Sequence, residues 1–171
     1  MSMDLARAIS NTIPIMTLQR NSGLYFEEFI VGDKATSVTR TITETDIVVF
    51  AGLSGDFNEI HVSEAYSQTQ MFGKRIAHGM LGLSVATGLA VQMGFMAATV
   101  EVFRSVEWEF VAPIFIGDTI HIEVEVIETK AFARLNNGKI TFKVQLKKHD
   151  GTTVQRGNWS VLVKMKPRML S

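Results

Sequence analysis

Between Ile76 and Val100 the chain carries no Asp, Glu, Lys or Arg, and no other uncharged run in the sequence is as long. A helix that is apolar nearly all round must be covered on every side, by lipid or by protein. The length permits a membrane span, for which ~20 apolar residues suffice. The composition argues against one. Gly79, Gly82, Gly88 and Gly94, with His78, Ser84, Thr87 and Gln92, dilute the hydropathy. The expectation is one long helix buried in a protein core, with no membrane partner. Gly82, Ala86 and Ala90 recur every four positions, so one helix face lets a sheet approach closely.

A sheet is what the downstream sequence supplies. Val106, Trp108 and Phe110 alternate with Glu107 and Glu109. Ile120, Ile122, Val124 and Val126 alternate with His121, Glu123 and Glu125, and Ile140 to Leu146 and Trp159 to Met165 repeat the period. Alternation of this kind marks half-buried strands. Asn136-Asn137-Gly138 and Asp150-Gly151 read as the hairpin turns between them. Upstream, Leu24 to Val31 has strand character, Gly32-Asp33 is a turn, and Thr36 to Ile42 reads as a second strand. Thr43 and Asp46 stand as a capping box before a short helix that Ser54-Gly55 ends. Residues 56–62 read as a loop, and Ser63 caps a further short helix. Antiparallel strands following one long buried helix imply an α+β fold, a curled sheet wrapped round the helix in the "hot dog" manner.

At 171 residues the chain is read as a single domain over 23–166, with an N-terminal extension over 1–22 and a short tail over 167–171. The extension lacks the apolar stretch and cleavage site of a targeting signal. Absence of cysteine excludes thiol nucleophiles and thiolate metal sites, and fits a reducing, cytoplasmic location. Lys plus Arg balances Asp plus Glu at 17 each, so no overall field favours nucleic acid. The histidines are scattered, and no metal set at ligand spacing is visible. Neither a phosphate-cradling glycine loop nor a G-x-S-x-G elbow is present, so nucleotide cofactors and serine hydrolysis lack support.

Two runs carry chemistry: Ser54-Gly55-Asp56-Phe57-Asn58-Glu59-Ile60-His61, and Lys74-Arg75-Ile76-Ala77-His78-Gly79-Met80-Leu81. Hydration of an alkene conjugated to a carbonyl needs a base for water, an acid for the α-carbon and donors for the enolate-like oxygen. Asp56 and His61 suit the first two tasks, and Asn58 can hold the loop by side-chain bonds to backbone. On spacing alone, a capped surface turn with an incidental imidazole is the simpler reading. The free N–H groups of Gly79 and Met80, at the start of the long helix, suit the third task. A packing glycine explains Gly79 equally well. His78 is either a ligand-side donor or a cap on its loop. His121 falls on the polar parity of its strand, and His149 sits in a turn. Met71, Met80, Met93, Met96, Phe72, Phe95 and Phe103 are either walls of an acyl pocket or plain core. Lys74, Arg75 and Arg104 either meet phosphates of a ligand or, the simpler reading, are exposed surface charge.

Together, Leu53-Ser54-Gly55-Asp56-Phe57-Asn58-Glu59-Ile60-His61 and Arg75-Ile76-Ala77-His78-Gly79-Met80-Leu81 resemble the MaoC-like dehydratase family, which includes the (R)-specific enoyl-CoA hydratases. The similarity runs from about Gly23 to Lys164. It implies a hot-dog fold, usually assembled as a homodimer or larger by joining sheets. It also implies reversible addition of water to trans-2-enoyl thioesters of CoA or acyl carrier protein, giving (R)-3-hydroxyacyl thioesters without a cofactor. Asp56 and His61 would then be catalytic, with Asn58, His78, Gly79 and Met80 around the substrate. Where the family usually has proline after the motif asparagine, this chain has Glu59. The exchange removes a restraint on Asn58 and adds a carboxylate expected to raise the pKa of His61. A thioesterase on the same scaffold and a non-catalytic acyl-CoA binding protein are the alternatives. The first needs a carboxylate on or near the central helix, and Ile76 to Val100 offers none.

Overall fold

A computed structural model describes residues 23–167. The extension over 1–22 and all of the tail except Pro167 lie outside the described residues. Six strands form a single antiparallel sheet: β1 (Lys34–Thr36), β2 (Arg40–Thr41), β3 (Val100–Phe110), β4 (Thr119–Phe132), β5 (Asn137–Lys148) and β6 (Thr153–Lys164). The order is β1-β4-β5-β6-β3, with β2 also paired to β4. Three short helices precede the long one: α1 (Glu44–Ser54), α2 (Glu59–Val62) and α3 (Glu64–Ser67) come before α4 (Gly79–Gln92).

Alternation in the sequence becomes alternation in burial. Ile120, Ile122, Val124 and Val126 of β4 and Ile140, Phe142, Val144 and Leu146 of β5 all face the core. The β4–β5 register, Val124 opposite Val144, stacks these rows against α4. Each such side chain contributes roughly 1.5–3 kcal/mol by leaving water. Phe29, Phe95 and Phe142 meet edge-on or tilted at ring separations of 5.4–6.4 Å, closing the far end of the core. Phe95, Met93 and Met96 are therefore core, the plainer of the two readings.

Several elements differ from the expectation. The helix runs only from Gly79 to Gln92, about 21 Å at 1.5 Å per residue. It is buried on one face, by Leu81, Gly82, Val85, Ala86, Leu89 and Ala90, while Met80, Ser84, Gly88 and Val91 are exposed. A single sheet covers one side of the helix; on the other side Ser84 and Gly88 tolerate water, and Met80 and Val91 are left more than half exposed. No helix of the described residues is long and apolar enough to cross a membrane.

Leu24 to Val31 is not a strand. It holds a 3₁₀ turn over Phe26–Glu28, closed by the Glu28 carboxylate accepting from the Tyr25 N–H at 2.9 Å. The second expected strand splits into β1 and β2, because the Ser37 hydroxyl between them accepts the Ile122 N–H at 3.0 Å in place of a ladder carbonyl. The β4–β5 turn falls on residues 133–136, where Asn136 takes φ 52°. Gly138 lies inside β5; a Cβ there would stand 2.1 Å from the ring of Phe26. The Asp150-Gly151 turn, the Thr43–Asp46 capping box and the Ser63 cap stand as read.

Candidate active site

Helix α1 delivers the first half of the site. It ends at Gly55, whose φ of 76° turns the chain sharply as a left-handed cap. Asp56 follows. One of its carboxylate oxygens accepts the Asn58 N–H at 3.2 Å, and the Asn58 side chain in turn accepts the Ile60 N–H at 3.3 Å. Asn58 thus caps α2, a single turn that replaces the expected loop and points His61 back toward Asp56. Such local bonds are the usual work of Asp and Asn at helix starts.

The second half is the segment leading into α4. Arg75 binds both oxygens of Glu44 at 2.7 and 2.6 Å and reaches Glu64 at 3.0 Å. It is a clamp between α1 and α3, not the free surface charge expected, and the two carboxylates raise its pKa. The next residue, Ile76, offers its carbonyl to His61 Nδ1 at 2.8 Å. A carbonyl only accepts, so Nδ1 carries the proton and Nε2 of the neutral ring is the base. That Nε2 lies 4.0 Å from Asp56 Oδ2.

His78 stacks on His61 with ring centroids 3.8 Å apart and lies 5.0 Å from the ring of Phe50. Its Nε2–H donates to the Asp56 carbonyl at 2.9 Å, and it is 2% exposed. His78 therefore fixes the backbone of Asp56. His61 has a pKa below the usual imidazole value. Burial is the largest cause and His78 adds to it, while the bond to the Ile76 carbonyl and the charge of Asp56 oppose it. Glu59 is not among the causes, so the expected upward push from this carboxylate is not met.

Asp56, His61 and His78 also form the group among the described residues able to offer a cation three ligand atoms, all within 4.8 Å of one another. They make a poor cage. Each imidazole bonds a carbonyl through one nitrogen and keeps the other free, as ligating histidines do, but the stacked rings send these in-plane lone pairs side by side and do not converge them on one point.

A cavity of about 550 Å³ opens beside this pair, lined by His61, Gly79 and Met80 and otherwise mainly by apolar side chains. Met71, Phe72 and Met80 line it and are exposed, while Phe103 does not line it. Asp56, Asn58 and His78 do not line it either: Asn58 Oδ1 and His78 Nε2 serve the loop, and the half-exposed Asp56 carboxylate reaches the site only through His61, 4.0 Å away. Gly79 begins α4, and neither its N–H nor that of Met80 has an acceptor among the described residues. A Cβ on Gly79 would come within 2.8 Å of the Phe110 ring, so close packing calls for glycine here.

One wall residue escaped the sequence reading. Gln155 of β6 is 2% exposed and lines the cavity. The signal was available: the inward series Trp159, Val161, Val163 extends back through Gly157 to Gln155, an amide on core parity.

A curled antiparallel sheet packed on one central helix defines a hot-dog protein, and at the helix start His61 lines an apolar cavity with the Asp56 carboxylate 4.0 Å from its Nε2. Residues 28–148 match the family model of the MaoC like domain, and the chain belongs to that family. It is 42% identical over 103 residues to an (R)-specific enoyl-CoA hydratase of Rhodospirillum rubrum, covering 60% of this chain and 69% of that protein. It is 37% identical over 105 residues to a 3-hydroxybutyryl-CoA dehydratase of Methylorubrum extorquens, covering 61% and 65%. Among solved structures, a monoamine oxidase regulatory protein from Archaeoglobus fulgius superposes with a TM-score of 0.80 at 36% identity, covering 88% of this chain and 99% of that one.

Proposed function

We propose that this chain adds water reversibly to trans-2-enoyl-CoA thioesters and releases the (R)-3-hydroxyacyl thioester. The observation that carries the reading is the Asp56–His61 pair. Its 4.0 Å separation is too long for a direct hydrogen bond. A water bonded to both atoms at about 2.8 Å would be held at an angle of roughly 90°, near its own H–O–H angle. Held there, the water loses a proton to His61 Nε2 as its oxygen bonds to C3 of the alkene. The π electrons move onto the thioester oxygen, and the N–H groups of Gly79 and Met80 at the positive end of α4 take up that charge. The acid–base pair then returns a proton to C2 as the carbonyl re-forms, so one water has been added. The acidity that C2 needs comes from the thioester, so the residues of the chain are sufficient for this route.

In this reading Asp56 and His61 are catalytic, and Gly79 and Met80 bind the thioester. Asn58 and His78 hold Asp56 and His61 in place. A cytoplasmic setting belongs to the same proposal, as does CoA or acyl carrier protein as the carrier. So does assembly as a homodimer through β3. Among the described residues that strand is an edge along its whole length, and Val102, Phe103, Val106 and Phe110 on it are 41–55% exposed. An open apolar edge of this kind invites a partner strand.

The test is an enoyl-CoA chain-length series followed by loss of the conjugated thioester absorbance, with chiral analysis of the product. Asp56→Asn and His61→Ala should each lower kcat by at least about 10²-fold, the usual worth of a positioned acid or base, while folding survives. Retained turnover in both variants removes this mechanism. A second reading, a binding or regulatory protein without turnover, draws support from the regulatory protein among the structural relatives. Tight acyl-CoA binding with no consumption of any enoyl-CoA would favour it.

A further inference from the structure

Gln155 sits opposite Phe110 in the β3–β6 ladder, beneath the first turn of α4. Its Oε1 accepts the Trp108 indole N–H at 2.9 Å, and its Nε2 donates to the Gly79 carbonyl at 3.0 Å. The indole can only donate, so it dictates which end of the amide faces it and leaves the NH₂ for the carbonyl. Two glycines make room for the arrangement. A Cβ on Gly82 would lie 2.3 Å from Gln155 Nε2, and one on Gly157 would lie 2.7 Å from the Trp108 ring. A buried amide with both ends engaged, in a wall otherwise mainly apolar, is costly to place and holds its bonds firmly.

The Gly79 carbonyl and the Met80 N–H belong to one planar peptide unit and point in opposite directions. A donor on the carbonyl fixes the plane of that unit and draws electron density away from its N–H, strengthening it as a donor. We infer that Gln155, oriented by Trp108, is a positioning residue that aligns and polarises the Met80 N–H for the developing oxyanion of the thioester. The inference rests on the hydratase reading and adds to it a relay from edge strand β3 through β6 to the start of α4. It acts on the oxyanion side of the reaction and leaves the base side, Asp56 and His61, untouched.

Three variants interrupt the relay at different points. Gln155→Met removes both polar ends at similar volume. Trp108→Phe keeps a ring but removes the donor that orients the amide. Gly82→Ala keeps Gln155 and pushes its amide aside; the atoms displaced are the ends of the Gln155 and Ile114 side chains, no backbone atom is met, and Ala favours the helix, so the fold survives. Each should lower kcat by about tenfold, less than loss of a whole oxyanion donor, with KM within about twofold of wild type. The acid limb of the pH profile, set by His61, should stay where it is. In ¹H–¹⁵N spectra the Met80 amide proton should move upfield in Gln155→Met, as its peptide loses the polarising bond.

Retained kcat in Gln155→Met or Gly82→Ala overturns the inference. So does a loss that falls on KM, a displaced acid limb, or an unmoved Met80 resonance. Should the wild type consume no enoyl thioester, the hydratase reading fails. The Met80 resonance then decides by itself whether Gln155 sets this peptide.

Discussion

In the proposed mechanism His61 is the base, and three neighbours agree on its neutral state. The Ile76 carbonyl takes the Nδ1 proton, burial disfavours the charged ring, and stacked His78 disfavours it further. The native pKa is therefore below the ~6.5 of a free imidazole. Two consequences share a sign. The acid limb of kcat/KM should fall below pH ~6.5, read from a pH–rate profile on one enoyl-CoA. Because the unfolded chain binds this proton more tightly than the native site, its contribution to stability is complete above the unfolded value. It declines as the pH drops toward the native one. His61→Phe should flatten that part of a stability–pH curve measured by urea unfolding, and an unchanged curve would place the titration elsewhere. Glu59 bears on the same turn. Asn58 already has ψ 132°, within the range a following proline demands, and Glu59 is the first residue of α2 with no acceptor for its N–H among the described residues. Glu59→Pro should therefore raise the unfolding free energy by about 0.4–1 kcal/mol in urea titrations, through the unfolded chain. The restraint that proline would supply is supplied here by the Asn58 cap.

Among the elements, the segment between α3 and α4 has the most to lose. Arg75 ties it to α1 through Glu44 and to α3 through Glu64, and both carboxylates are about half exposed. Solvent screens such pairs, so Arg75→Met should cost only about 1 kcal/mol of stability. Its effect on rate should be larger, several-fold in kcat, because the adjoining Ile76 carbonyl sets the tautomer and aim of His61. Comparing kcat with the urea midpoint separates the two; a loss seen in stability alone would show that the clamp serves only the fold. Sequence reading reached the Thr43–Asp46 capping box, which depends on residues three apart. It did not reach this clamp, whose partners stand 31 and 11 residues away along the chain.

At the scale of the whole fold, the sheet has one long margin with no partner strand among the described residues. Among the described residues strand β3 pairs with β6 alone, and Trp108 is its clearest inward anchor. The alternation of Val106, Trp108 and Phe110 with glutamates promised a half-buried strand, yet Val106 and Phe110 are 41% and 55% exposed in the isolated chain. Joining this edge to a second copy would cover them. Val106→Lys combined with Phe103→Glu should then convert a dimer to a monomer in sedimentation experiments. A wild type that sediments as a monomer would remove the homodimer from the proposal.

Period-two burial in β4 and β5, the caps of α1 and α3 and the small-residue face of α4 were determined by the sequence itself, since each rests on contacts between near neighbours or on a repeating face. The paired motifs also marked Asp56, His61 and Gly79 before any geometry was known. Only the tertiary structure decided that His78 and Asn58 serve the loop and not the cavity, that Arg75 is a clamp, and that Gln155 reaches the first carbonyl of α4. Those roles depend on which polar atom meets which partner across strands and helices distant in sequence. A hydrogen bond is made or lost over less than an ångström, a distance that no periodicity in a sequence records.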